Sequence, residues 1–172
     1  LTGISPLIVD RTNEGSGQHQ ILRGGSLQIH ADFNELHISN EPLLHRRVNA
    51  FLYLNEDWET AWGGDLEMWH RNMTTCAGRI APLANRLVVF TTTDFSYHGH
   101  ADPLECPPHR SRRSIAVYYY SMHPADRRER LVDDKGNPVP HSTLYQTRKC
   151  RSCLLDQCRR PVATGSNRSE GC

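Results

Sequence analysis

The chain has 172 residues, enough for one domain with a real core, and its charges balance to +1 at pH 7. That balance excludes the strong basic field by which nucleic acids and anionic membranes are bound, so neither is an expected partner. No apolar run approaches the roughly 18 residues of a membrane span, and no signal peptide opens the sequence.

The opening Leu1-Thr-Gly-Ile-Ser-Pro6 has neither a Met nor a helix cap and reads as the interior of a longer chain. Residues 1–25 are rich in Gly, Ser and Asn with little periodicity, which predicts loop. Short apolar runs bounded by turn residues follow at 26–33, 48–54, 65–69, 86–92 and 112–122. They are rich in Val, Ile, Leu, Phe and Tyr and alternate in places, the pattern of half-buried strands. Only 41–46 carries a trace of helical spacing. Short strands separated by regular turn signals predict an all-β sandwich, barrel or jelly roll.

The first run contains His30-Ala31-Asp32. In extended backbone, residues two apart share a face, so this imidazole and carboxylate can converge on one point. Together with a distant histidine they would form the 2-His-1-carboxylate triad that holds non-haem Fe(II) with open positions. In a chain with ten His the triplet alone is weak, and its bland reading is a solvated pair. A third ligand should sit on a later strand. Asp94-Phe-Ser-Tyr-His-Gly-His100, just after the run 86–92, offers His98 and His100. Gly99 between them permits close backbone approach.

On the run 112–122, alternation puts Arg112, Ser114, Ala116 and Tyr118 on one face and Arg113, Ile115, Val117 and Tyr119 on the other. An inward arginine needs an anionic partner, because an unpaired buried charge is very costly. A dicarboxylate suits the forked guanidinium. The competing reading is a solvated basic end made of Arg110, Arg112 and Arg113.

Taken in order, His30-Ala-Asp32, Arg46-Arg-Val-Asn-Ala-Phe-Leu-Tyr-Leu-Asn-Glu-Asp-Trp58, Gly63-Gly-Asp-Leu66, His98 and Arg112-Arg-Ser114 resemble the prolyl-hydroxylase branch of the Fe(II)/2-oxoglutarate-dependent dioxygenases. The resemblance runs from about Gln18 to Tyr120, with the hypoxia-sensing prolyl hydroxylases and, more closely, their microbial proline-hydroxylase-like relatives. It implies a double-stranded β-helix (jelly roll) with iron at its open end. Carried over by position, His30, Asp32 and His98 match the iron ligands, and Arg112 matches the residue that pairs with the far carboxylate of 2-oxoglutarate. Tyr53 matches a tyrosine that hydrogen-bonds the same carboxylate, and Ser114 would assist on that face; His100 would lie just outside the ligand set. The implied cofactors are Fe(II), 2-oxoglutarate as co-substrate, O2 and ascorbate. The implied reaction is hydroxylation of an unactivated C–H with release of succinate and CO2. The substrate would be a prolyl residue, free proline or another small molecule.

Relatives carry more elements ahead of the His-x-Asp strand than the 29 residues present here, so the expected domain is amino-terminally incomplete. The expected organisation is a lead-in at 1–25, an oxygenase core at 26–122, an extension at 123–148 and a Cys- and Arg-rich tail at 149–172. Cys76 and Cys106 stand alone in the body, while Cys150, Cys153, Cys158 and Cys172 crowd the tail. This is no secreted disulfide framework, and the expected compartment is cytoplasmic. The tail is too poor in apolar residues to pack around zinc and reads as disordered. A cupin-like metal-binding barrel or a catalytically inactive module is the alternative function, and Arg112 with Tyr53 argues against it. The substrate is expected to approach over 99–109 and 34–44, near Phe95, Tyr97 and Trp69.

Overall fold

The computed structural model describes residues 2–13 and 15–149. In chain order its strands are β1 (Ile8–Val9), β2 (Gly17–Leu22), β3 (Leu27–Ala31), β4 (Glu35–Leu36), β5 (Leu44–Tyr53), β6 (Leu66–Trp69), β7 (Cys76–Ile80), β8 (Leu87–Thr91), β9 (His98–His100), β10 (Ser111–Ser121) and β11 (Leu144–Tyr145). Among the described residues helix is limited to two single 3₁₀ turns, Thr60–Trp62 and Arg127–Glu129, and no helix is long and apolar enough to cross a membrane.

The strands form two antiparallel sheets. In the larger one β5 and β10 are the spine, with β1 and β2 beyond β10 and with β4 and β8 beyond β5. The smaller sheet runs β11-β3-β9-β6-β7. The chain passes back and forth between them: β2 larger, β3 smaller, β5 larger, β6 and β7 smaller, β8 larger, β9 smaller, β10 larger. That alternation is the double-stranded β-helix expected from the sequence.

Period-two burial holds the sheets face to face. Along β10, Arg112, Ser114, Ala116, Tyr118 and Tyr120 are buried, whereas Arg113 is exposed and Ile115, Val117 and Tyr119 are half-buried. Between the sheets Tyr53, Phe51, Val88 and Phe90 meet Leu66, Met68 and Ile80. The smaller sheet has a second core on its other face, where Ile29, Ala31, Trp69, Met73 and Tyr97 pack with Phe95, Cys76 and Leu144. A sheet with both faces covered reads as a continuous apolar run. Within Ile29-His-Ala31 the imidazole is therefore the inward exception.

Some local expectations fail. Residues 1–25 are loop for the most part, as expected, yet not throughout: β2 pairs with β10 from Gly17 to Leu22 and β1 pairs at Ile8 and Val9. β2 reads Gly-Gln-His-Gln-Ile-Leu and has too few apolar residues to signal a strand by itself; its ladder with β10 supplies the stability. The helical trace at 41–46 is likewise overridden, since β5 begins at Leu44 and pairs with β4 and β10. β7, Cys-Ala-Gly-Arg-Ile, likewise has too few apolar residues to signal a strand by itself. Cys76 and Cys106 are free thiols. Cys150, Cys153, Cys158 and Cys172, with the tail reading attached to them, lie outside the described residues.

Candidate functional site

β3 and β9 are neighbours in the smaller sheet, and their register sets His30 directly opposite His98. Residues directly opposite in an antiparallel pair share a face, and here the two imidazoles stand with ring centroids 4.6 Å apart. Asp32 follows the end of β3, two residues beyond His30, and turns its carboxylate to the same point. Its Oδ1 is 3.5 Å from His30 Nε2 and its Oδ2 is 3.6 Å from His98 Nε2. One ligand atom from each of the three residues lies within 4.8 Å of the others.

The hydrogen bonds on the far side of each ring select its tautomer. His30 Nδ1 is 2.7 Å from the Gln28 carbonyl, and His98 Nδ1 is 2.8 Å from the Ser96 carbonyl. A carbonyl only accepts, so Nδ1 carries the proton and each Nε2 presents a lone pair to the shared point. Burial pushes the His98 imidazole down to about 4, which keeps it neutral. For Asp32, burial would raise the carboxyl, but its buried surroundings, the Arg46 guanidinium among them, outweigh that and hold the group well below the usual carboxylate range.

Two residues that the sequence left unassigned keep this carboxylate in place. Asn49 donates from Nδ2 to Asp32 Oδ2 at 2.7 Å, and Arg46 Nη2 lies 3.2 Å from the same oxygen. Arg46 Nε also donates to Asn49 Oδ1 at 3.0 Å, and the Arg46 guanidinium stacks on the Tyr118 ring. Residues three apart face opposite sides of a regular strand. Here Arg46 lies opposite Tyr120 and Val48 opposite Tyr119, so Arg47 is an extra residue and β5 bulges. The bulge turns both Arg46 and Asn49 inward. No period-two reading of the sequence could have paired them.

Arg112, Tyr53 and Ser114 come together on the inner face of the larger sheet. Ser114 is directly opposite Tyr53 in the β5–β10 ladder, and all three residues are buried. Arg112 donates from Nη2 to Tyr53 Oη at 3.2 Å and from Nε to the Gly64 carbonyl at 2.8 Å. Burial lowers the Arg112 pKa, and Tyr53 and Asp65 work against that shift.

The surrounding motif residues build this corner. Asn55 donates to the Pro82 and Arg113 carbonyls and accepts from the Arg113 amide, tying β5 to the start of β10. Trp58 Nε1 holds the Gly63 carbonyl at 3.0 Å. At Gly64 the backbone has φ +78°, and a Cβ would come within 2.7 Å of Leu104 Cδ2 and 3.1 Å of Arg112 Cδ.

Residues 17–120 match the model of the 2OG-Fe(II) oxygenase superfamily. The chain belongs to that superfamily. Among solved structures it is similar to a prolyl-4-hydroxylase of Pseudomonas putida (25% identity, TM-score 0.42, covering 59% of this chain and 47% of that one). It is also similar to a structure from a study of the prolyl 4-hydroxylases of Phytophthora capsici (21% identity, TM-score 0.41, covering 59% and 30%). The chain thus spans less than half the length of either structure. No curated protein matches it.

Membership implies Fe(II), 2-oxoglutarate and O2. The inner cluster fits such a metal, since two imidazole nitrogens and one carboxylate form the donor set that leaves positions open on non-haem iron. His100 lies outside the cluster. It is buried, and burial followed by the nearby Arg112 charge pushes its imidazole down to about 3. Trp69 and Tyr97, expected near the mouth, are buried in the core on the other face of the smaller sheet, because they sit at the alternate parity to Met68 and His98. Phe95 is half-buried against that core, under the Arg71 guanidinium.

Proposed function

We propose that this chain carries an Fe(II)- and 2-oxoglutarate-dependent hydroxylase site that acts on proline, in a peptide or as the free amino acid. His30, Asp32 and His98 hold the metal. Arg112, helped by Tyr53 and Ser114, holds the far carboxylate of 2-oxoglutarate, and ascorbate keeps the iron reduced between turnovers.

One observation carries the reading: two Nε2 lone pairs and one ionised carboxylate converge within 4.8 Å, each already held from behind by a hydrogen bond or ion pair. Such support fixes ligand orientation before any metal arrives. When bound, iron with 2-oxoglutarate and O2 supplies oxidation of an unactivated C–H, with release of succinate and CO2. The protein's share is geometric and electrostatic. Nδ1–H bonds fix the rings, Arg46 and Asn49 keep Asp32 anionic, and Arg112 offers a buried cation. Phe90, edge-on to His98 at 4.9 Å, helps exclude water. Support for proline as substrate is the Tyr53-Leu-Asn-Glu-Asp-Trp58 and Gly63-Gly64 resemblance.

Mass spectrometry of a proline-containing peptide library and of free L-proline, with Fe(II), 2-oxoglutarate and ascorbate, tests the assignment. The expected result is gain of one oxygen in one pool together with succinate. His30→Ala, Asp32→Ala and His98→Ala should abolish Fe(II)-dependent succinate formation, whereas His100→Ala should retain part of it. Succinate without oxygenated proline would remove the substrate and leave the oxygenase. Absence of 2-oxoglutarate turnover would return the chain to a metal-binding barrel.

A further inference from the structure

A row of four side chains crosses the inner face of the smaller sheet. Register places Tyr145 opposite His30, His30 opposite His98, and His98 opposite Met68. Opposed residues share a face, so the row reads Tyr145, His30, His98, Met68.

Its two ends differ in kind. Met68 packs with Tyr53, Leu66 and Val88 in the layer between the sheets, and Phe90 and Phe51 stand against His98, so that end is closed. At the other end the Tyr145 ring lies 5.7 Å from the His30 ring, tilted by 48°, and is 59% exposed. The row therefore reaches solvent at Tyr145.

The backbone beneath that exposed ring is well held. Leu144 pairs with Ala31 and joins the core on the far side of the sheet. The Gln146 amide donates to the Ile29 carbonyl at 2.8 Å. Upstream, the His141 amide donates to Asn34 Oδ1 at 3.0 Å. A large aromatic surface on a fixed strand, beside a metal-ligating ring, has the properties of a binding platform: wide apolar area with little freedom left to lose.

We infer that Tyr145 is the substrate-contact wall of the metal site, receiving an apolar ring of the substrate against its own ring so that the carbon to be oxidised lies over His30, Asp32 and His98. The inference rests on the hydroxylase reading above, from which the ring is a pyrrolidine. It replaces Trp69 and Tyr97 as the aromatic wall that the sequence led one to expect.

The test uses the full chain and its Tyr145→Ala and Tyr145→Phe variants. Loaded with Mn(II) and 2-oxoglutarate so that no turnover occurs, each is titrated against a fluorescent proline-containing peptide and, in competition, free L-proline. Fe(II)-loaded samples are followed in parallel by the visible band of the anaerobic 2-oxoglutarate chelate and by substrate-free succinate formation. Tyr145→Ala should weaken proline binding roughly tenfold, the scale of one lost aromatic contact. Tyr145→Phe should bind as the parent does, and neither variant should change the band or the substrate-free turnover. Unchanged proline binding in Tyr145→Ala would overturn the inference while the hydroxylase reading stands. Loss of the band in Tyr145→Ala would overturn it too, because the ring would then be a brace for His30. A parent protein that gives the band but binds neither form of proline would overturn the proline reading itself, and this inference with it.

Discussion

Arg112 and Arg113 are adjacent in sequence and opposite in circumstance. Arg112 is 6% exposed and its identified hydrogen bonds go to neutral oxygens, the Tyr53 hydroxyl and the Gly64 carbonyl. A guanidinium in that setting gains much from an incoming carboxylate. Arg113 points to solvent and donates to Ser111 Oγ at 3.0 Å. Arg112→Ala should therefore weaken 2-oxoglutarate binding by about 2–4 kcal/mol, the usual loss when a buried charge pair is truncated, and Arg113→Ala by little. Titration of 2-oxoglutarate against both variants checks the ranking. The reverse order would mean that the inward face of β10 is misassigned by one residue. Asp32 illustrates the complementary case. Its carboxylate is set between Asn49 and Arg46, which aim it at the point it shares with His30 and His98.

At the scale of elements, the short strand β9 is the tightest constraint on the site. It lies between β3 and β6, and all three of its residues are buried. A Cβ on Gly99 would meet the Leu27 carbonyl at 2.7 Å and the Gln28 carbonyl at 2.9 Å. The Gln28 carbonyl is also the acceptor that orients His30. Gly99→Ala must therefore push β3 away from β9 and disturb the His30 ring in the same movement. It should cost about 1–3 kcal/mol of stability, as overpacking generally does, and should weaken Fe(II) binding as well. Gly78→Ala is the control, because nothing stands within 4 Å of its Cβ position. Thermal unfolding and anaerobic Fe(II) titration of both variants decide the matter. A Gly99→Ala protein as stable and metal-avid as the parent would show that β3 and β9 are less closely coupled than this geometry requires.

Across the whole molecule, the chain after β10 is tied back to the site by one buried polar cluster. Asp94 Oδ1 lies 3.1 Å from His141 Nε2 and accepts from Asn34 Nδ2 at 3.2 Å, while Oδ2 accepts from the Leu131 amide. Burial alone would lower the His141 pKa, but Asp94 raises it above the ordinary 6.5. Burial would raise Asp94, but His141, the Leu131 amide and Asn34 bring it below the ordinary 3.8. A raised imidazole stabilises the fold fully below 6.5 and ceases to do so as pH climbs through its folded value. A depressed carboxyl stabilises above 3.8 and ceases to do so as pH drops through its folded value. The tie is therefore strongest between those limits. Unfolding midpoints of the parent should lose ground against those of His141→Gln on the alkaline side of 6.5. A parent-minus-variant difference that grows over the same interval would contradict the pairing.

Strand parity, visible in the residues themselves, determined much of this protein. Alternation along 112–122 set Arg112 with Ser114 and apart from Arg113, and His30 with Asp32, because side chains in extended backbone repeat every second residue. The all-β class followed from the same periodicity, and the order of motifs pointed to the superfamily. Tertiary structure decided whatever depends on a partner strand. β2 and β7 are strands because β10 and β6 complete their ladders, not because Gly-Gln-His-Gln or Cys-Ala-Gly-Arg prefers extension. Arg46 and Asn49 meet at Asp32 because a bulge breaks the parity that a sequence reading must assume. His98, not His100, joins the cluster because the register sets it opposite His30, and Tyr145 stands beside His30 by the same rule across a sequence gap of more than a hundred residues. Periodicity is local and can be read from one segment. Register and bulges are relations between segments, and only the folded sheets fix them.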